Sequence, residues 1–178
     1  MKRINFDDLA VKAHATAVSK GWWPIPPSSR PFSEVFANFH SEVDEAWEEF
    51  RKWGMSQSRF IYTQQGTPEG IAIELADLLI RLADAKQAYG WHTIEHSIGP
   101  PRLCPSFPLL VNTLHAHIVY HYTDVHTRGP DGVYGEIAEI LAHVEGFCQV
   151  FNVPLQDAIG IKLEYNKTRP YRHDGKKA

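Results

Sequence analysis

Glu42-Val43-Asp44-Glu45 and, further along, Glu74-Leu75-Ala76-Asp77 are the stretches on which the reading of this chain turns. Each holds a carboxylate pair at spacing i, i+3. On a helix such a pair shares one face, with Cβ atoms about 5–6 Å apart. Two such helices laid side by side bring Glu42, Glu45, Glu74 and Asp77 together. Like charges in one place raise each other's pKa and are unfavourable unless a cation sits among them. An all-oxygen donor set suits a hard divalent ion, Mg2+ or Mn2+.

The flanking residues support helices at both stretches. Phe36, Phe39, Val43, Ala46, Trp47, Phe50 and Trp53 recur with a 3.6-residue period between an N-cap at Ser33 and a stop at Gly54. Glu42, Glu45 and Glu49 run along one edge of that stripe, while Asp44 and Glu48 lie away from it and read as solvated. A second helix is expected to start at Thr67-Pro68-Glu69, a cap, a first-turn proline and an acid, and to run to Tyr89 with Gly90 behind it. Ile71, Leu75, Leu78, Leu79 and Leu82 form its stripe, and Glu74, Asp77, Arg81 and Asp84 form a charged row beside it. An acid set into a leucine-rich face is costly to bury unless something pairs with it.

The remaining pattern is also helical. Helices are expected over 4–20, stopped by Gly21, and over 109–126, 133–151 and 154–167, the last from Pro154. Residues 55–66 and the proline-bearing 91–108 read as loops. Gly21-Trp22-Trp23-Pro24-Ile25-Pro26-Pro27 is a stiff connector. Its tryptophans suit core lids, or, on a sharper reading, a surface for a flat ligand. No sustained period-2 run marks a strand. The expected fold class is all-α, an antiparallel bundle of about five to six helices, as one domain over residues 1–178. The helix pairs 33–89 and 109–151 hint at a duplication.

Composition excludes some functions. A net charge of −3 gives no bulk basic field for nucleic acid. No run reaches membrane-spanning length and the start lacks a signal-peptide core, so a cytoplasmic setting is expected, with Cys104 and Cys148 as free thiols.

Other metal chemistries fit less well. Di-iron and di-manganese bundles place Glu-x-x-His on two helices, and no glutamate here has a histidine three residues on. Zinc is suggested by His117 and His121, and by His92 and His96, each pair at i, i+4. Spacing picks out no third ligand. Glu136 and Glu139 read as surface acids. Towards the C-terminus Lys162, Asn166 and Arg169 fall at i, i+4 and i+7, donors suited to phosphate oxygens beside a hard-metal site.

The acidic pairs in Phe39–Arg51 and Glu74–Asp84, joined to the tail Lys162-Leu163-Glu164-Tyr165-Asn166-Lys167-Thr168-Arg169-Pro170-Tyr171-Arg172-His173, resemble the all-α nucleoside triphosphate pyrophosphohydrolases, the MazG-like group most of all. With the helix order, the resemblance covers most of residues 5–176. Asp174 departs from it, standing where the family commonly has glycine. The resemblance implies a helical bundle that assembles as a homodimer or a dimer of dimers. It implies Mg2+-dependent hydrolysis of a nucleoside triphosphate to the monophosphate and pyrophosphate. On it, Glu42, Glu45, Glu74 and Asp77 match the metal ligands, with Glu42 or Glu45 as the base that activates water, and Lys162, Asn166 and Arg169 match the substrate-binding tail. A different class of function remains beside it: a non-catalytic helical bundle that binds a nucleotide or a partner protein.

Overall fold

The computed structural model describes residues 3–23, 30–57, 61–91, 101–128 and 134–172. Its described residues form an all-α bundle. The helices are α1 (Phe6–Ser19), α2 (Phe32–Trp53), α3 (Ile71–Tyr89), α4 (Phe107–Arg128), α5 (Tyr134–Phe151) and α6 (Leu155–Thr168). No helix among the described residues is long and apolar enough to cross a membrane.

α3 is the axis of the bundle. It packs against α1, α2 and α6, and α2 in turn carries α4, which pairs with α5. A helix that is apolar on nearly every side must be buried on nearly every side, and α3 follows that rule from Ile71 to Ala85. Glycines bound it: Gly70 at φ 112° precedes its first turn, and Gly90 closes it in the left-handed conformation at φ 68°.

α2 shows why one face of a helix faces inward. Val35, Phe36, Phe39, Val43 and Ala46 are buried, whereas Asp44 and Glu48 are exposed. Its first residue is Phe32, and the extended Pro31 precedes it without a side-chain cap, so the cap expected at Ser33 lies inside the first turn. Thr67-Pro68-Glu69 does not start α3 either. Pro68–Glu69 pairs antiparallel with Ile61–Tyr62, with Ile61 opposite Glu69 and Tyr62 opposite Pro68. The Thr63 and Thr67 backbones close that hairpin, the Thr63 N–H donating to the Thr67 carbonyl at 2.9 Å, and the Thr67 N–H donates to Thr63 Oγ1 at 3.0 Å. A proline on a short strand edge loses no ladder bond, so the hairpin captures the residues that local signals assign to a helix.

The aromatic residues are mostly structural. Trp23, Phe36, Phe39 and Trp91 are buried in the core, Trp47 and Phe50 pack partly against it, and only Trp53 of the aromatics on α2 is exposed. The Trp23 indole N–H donates to Asp84 at 2.8 Å, and Asp84 also meets His14 Nδ1 at 2.8 Å. This explains the acid at position 84 as a core partner for two rings.

α5 approaches the segment before α4 without room for a side chain. The Arg102 N–H donates to the Ala142 carbonyl at 2.8 Å, and a Cβ at Gly146 would overlap the Arg102 backbone. Gly146→Ala is expected to cost about 1–3 kcal/mol or more, as overpacking does. Calorimetry should read it as a fall of about 2–4 °C in Tm for each kcal/mol.

Candidate functional site

Glu42 of α2, and Glu74 and Asp77 of α3, are all buried, at 1%, 6% and 5% exposure. Glu45, one turn beyond Glu42, is exposed on the open side of the same group. Single carboxylate oxygens of Glu42, Glu45 and Glu74 lie within 4.8 Å of one another. Asp77 stands beside them and is held by cations. Lys162 of α6 reaches its Oδ2 at 3.1 Å and Glu74 Oε2 at 3.7 Å. Arg81, one turn along α3, places Nε 2.6 Å from Glu42 Oε1 and a terminal nitrogen 3.9 Å from Asp77 Oδ2.

Those cations do not satisfy the whole cluster. Glu42 Oε2 and Glu74 Oε2 are buried and have no hydrogen-bond partner. Glu49, next in the row on α2, is also buried, with Lys52 at 2.8 Å from its Oε1 and Oε2 unpartnered. Burial, followed by the neighbouring Asp77 charge, raises the Glu42 carboxyl to about 9. Burial also raises Glu74 to about 7, against the pull of Lys162. Burial works on Asp77 in the same sense, yet Lys162 and then Arg81 outweigh it and hold its carboxyl below the ordinary range. Glu42 and Glu74 therefore keep protons where surface carboxyls would keep charge, while Asp77 stays ionised.

Glu45, Glu74 and Asp77 line one wall of a cavity of about 440 Å³, with Glu42 behind them. Trp22, Arg30 and Lys20 line it too, as do Tyr165, Asn166 and Arg169 of the α6 end. Of the tryptophans considered for stacking, Trp22 is the one on this wall. The expected tail residues divide. Asn166 and Arg169 face the cavity, and the Arg169 guanidinium lies 5.6 Å over the Tyr165 ring. Lys162 also lines the cavity, but its ammonium belongs to Asp77 and Glu74. Nor does the chain swing freely after Arg169: the Arg172 N–H donates to the Lys20 carbonyl at 2.9 Å, and Arg172 Nε to the Gly21 carbonyl at 3.0 Å.

Sequence reasoning passed over Arg81 and Lys162 as counter-ions, although Arg81 at i+4 from Asp77 carried a signal for it. The two histidines at i, i+4 on α4 part company. His121 is buried against Phe36 and Trp91, and burial drives its pKa down to about 3. His117 instead meets Glu139 and His143 of α5. Glu139 is not a bare surface acid, since Arg102 binds its carboxylate. His92 and His96 lie outside the described residues, as does the side chain of Glu136.

No protein-family model, curated protein or solved structure matches the chain.

The raised carboxyls set a pH dependence. Glu42 and Glu74 bind protons more tightly in the folded state than in the unfolded chain, so stability falls as pH rises from about 4.5 towards the folded values. Without divalent ions, Tm should drop by several degrees between pH 5 and pH 8. In Glu42→Gln that drop should be smaller and Tm at pH 8 higher. A Tm that is flat or rising over this window would contradict the shifts.

Proposed function

We propose that the chain is a Mg2+-dependent nucleoside triphosphate pyrophosphohydrolase that releases the nucleoside monophosphate and pyrophosphate. The observation that carries this reading is the convergence of Glu42, Glu45 and Glu74, with unpartnered buried oxygens on Glu42 and Glu74, beside a cavity of about 440 Å³ whose wall holds Glu45, Glu74, Asn166 and Arg169. The donor set fits the ion: all oxygen, from three carboxylates, with Asp77 adjacent. A volume of that order suits a nucleotide-sized ligand. The resemblance of the acidic pairs and the tail to the MazG-like group supports the same chemistry.

Glu42, Glu45 and Glu74 would hold the ion, with Asp77 completing the acidic wall. Bound there, Mg2+ supplies charge neutralisation for the phosphates and acidifies a water molecule. Arg81 and Lys162, which line the same cavity, hold the buried acids in place and keep Asp77 ionised. Glu45 faces the open side, where Ser41 Oγ donates to its Oε1 at 3.2 Å. Of the two glutamates left open by the sequence, it is the one we assign as base. As water oxygen bonds to the α-phosphorus and the bond from that phosphorus to the bridging oxygen breaks, Glu45 takes the water proton and pyrophosphate leaves. Arg169 and Asn166 bind phosphate oxygens from the α6 end, and Trp22 offers a flat face for the base.

A homodimer or dimer of dimers belongs to the same reading. Its ground is the resemblance, because the aromatics Trp23, Phe36 and Phe39 are buried in the core and offer no exposed patch. Exposed apolar side chains lie instead at Leu103 and along α4 at Leu109, Val119 and Tyr120. Light scattering of the purified chain should give at least twice the 20.2 kDa chain mass.

Pyrophosphate release across the ribo- and deoxyribonucleoside triphosphates, with and without Mg2+, tests the function. Turnover of at least one nucleotide that needs Mg2+ is expected. No turnover of any would leave a binding bundle. Glu45→Gln should lower kcat by about 10²–10⁴-fold, the usual worth of a general base. Arg169→Ala should raise KM by about one to two decades, as loss of a charged contact does. Wild-type KM and kcat in Arg169→Ala would remove that residue from the site.

A further inference from the structure

A second group of ligating side chains lies between α4 and α5. His117 of α4, and Glu139 and His143 of α5, each offer one donor atom, and these lie within 4.8 Å of one another. The two imidazole rings are 5.1 Å apart, centroid to centroid. All three residues are half-buried, so an ion can reach them from solvent.

Their hydrogen bonds are those of oriented ligands. His143 Nδ1 lies 2.8 Å from the Glu139 backbone carbonyl oxygen. A carbonyl only accepts, so Nδ1 carries the proton and Nε2 keeps its lone pair. Metal-binding histidines are fixed by the same device, the far N–H donating to a carbonyl or carboxylate. Arg102 donates to both oxygens of the Glu139 carboxylate, which fixes its orientation and holds the carboxyl below the ordinary range, leaving the remaining lone pair of each oxygen for an ion. Arg102 in turn is locked to α5 through Ala142 and Gly146. The ion pair accounts for Glu139 but not for two imidazoles converging on it.

The sequence carries a parallel. Glu136-Ile137-Ala138-Glu139 repeats the spacing of Glu74-Leu75-Ala76-Asp77, and His143 follows Glu139 at the interval by which Arg81 follows Asp77. The parallel is confined to α5: α4 carries no carboxylate pair opposite it, and offers an imidazole instead. Oxygen-only donors suit Mg2+, whereas two imidazoles and a carboxylate suit a borderline transition metal.

We propose that His117, Glu139 and His143 form a second metal site, selective for zinc-like dications, that clips α4 to α5 with three protein ligands and one open position. Donors at about 2.0–2.2 Å from a tetrahedral ion stand about 3.3–3.6 Å apart. Rotation of half-buried side chains by about an ångström therefore closes the cluster.

The test uses the full-length chain, free of any histidine tag and stripped of metal, titrated with Co2+ and then Zn2+ in millimolar Mg2+. One Co2+ per chain is expected, with the intense visible bands of a four-coordinate ion, displaced by Zn2+. Zn2+ should also raise Tm. His117→Ala and His143→Ala should each weaken Zn2+ binding by at least about 100-fold, beyond the cost of losing an outer partner, and should abolish the Tm rise. Unchanged helical circular dichroism would show that these variants fold. Glu42→Gln and His115→Ala should bind Zn2+ as the parent does. His115 is the control because its Nδ1 lies 2.8 Å from His40 Nδ1, a separate pair between α4 and α2. Three results would each overturn the proposal: no Zn2+ binding at micromolar concentration, binding that survives loss of both His117 and His143, or binding lost in His115→Ala or Glu42→Gln.

Discussion

Burying Glu42, Glu74 and Asp77 on facing helices is the constraint on which the rest depends. Ionised carboxylates are expensive to take from water, and several together more so. Two answers are built in. Lys162 and Arg81 reach the cluster from α6 and from α3 itself, and Glu42 and Glu74 keep their protons well above the usual carboxyl range. The cations also join α2, α3 and α6 at one point. Breaking such a group by removing one partner is strongly destabilising, so the polar centre specifies how these helices meet.

Around that centre the fold divides its work. α3 supplies a nearly all-apolar axis, interrupted by two buried acids. α1, α2 and α6 cover it, and the α6 end bends back so that Arg172 ties to Lys20 and Gly21. That tie holds Arg169 and Asn166 on the cavity wall, which would lower the ordering cost of the proposed phosphate contacts. α4 and α5 stand further from the acids and carry the histidine-rich group instead.

Much of this was legible from periodicity. The stripes of α2 and α3 predicted their buried faces, Gly54 and Gly90 marked their ends, and the i, i+3 acids placed Glu42, Glu74 and Asp77 at the edge of the core. What was not legible depended on contacts between distant segments. Pro68 carries a helix-start signal, but its hydrogen-bonding partners lie at 61–63. Lys162 reads as a phosphate donor until its neighbours on α3 are known. The aromatic stripe of α2 does not say what covers it; Trp91 and the α4 rings Tyr122 and Phe107 do. His117, Glu139 and His143 come together only through the packing of α4 on α5, which no spacing along the chain encodes.

The proposed function requires the acidic cluster to bind a dication in exchange for the proton that Glu42 holds. Calorimetric titration of the chain with Mg2+ at pH 7.5, in buffers of different ionisation enthalpy, tests it most directly. Because Glu42 holds its proton to about 9, binding should release about one proton per ion, and Glu42→Gln should abolish that release. Mg2+ that binds with no proton release, or fails to bind at millimolar concentration, would contradict the account.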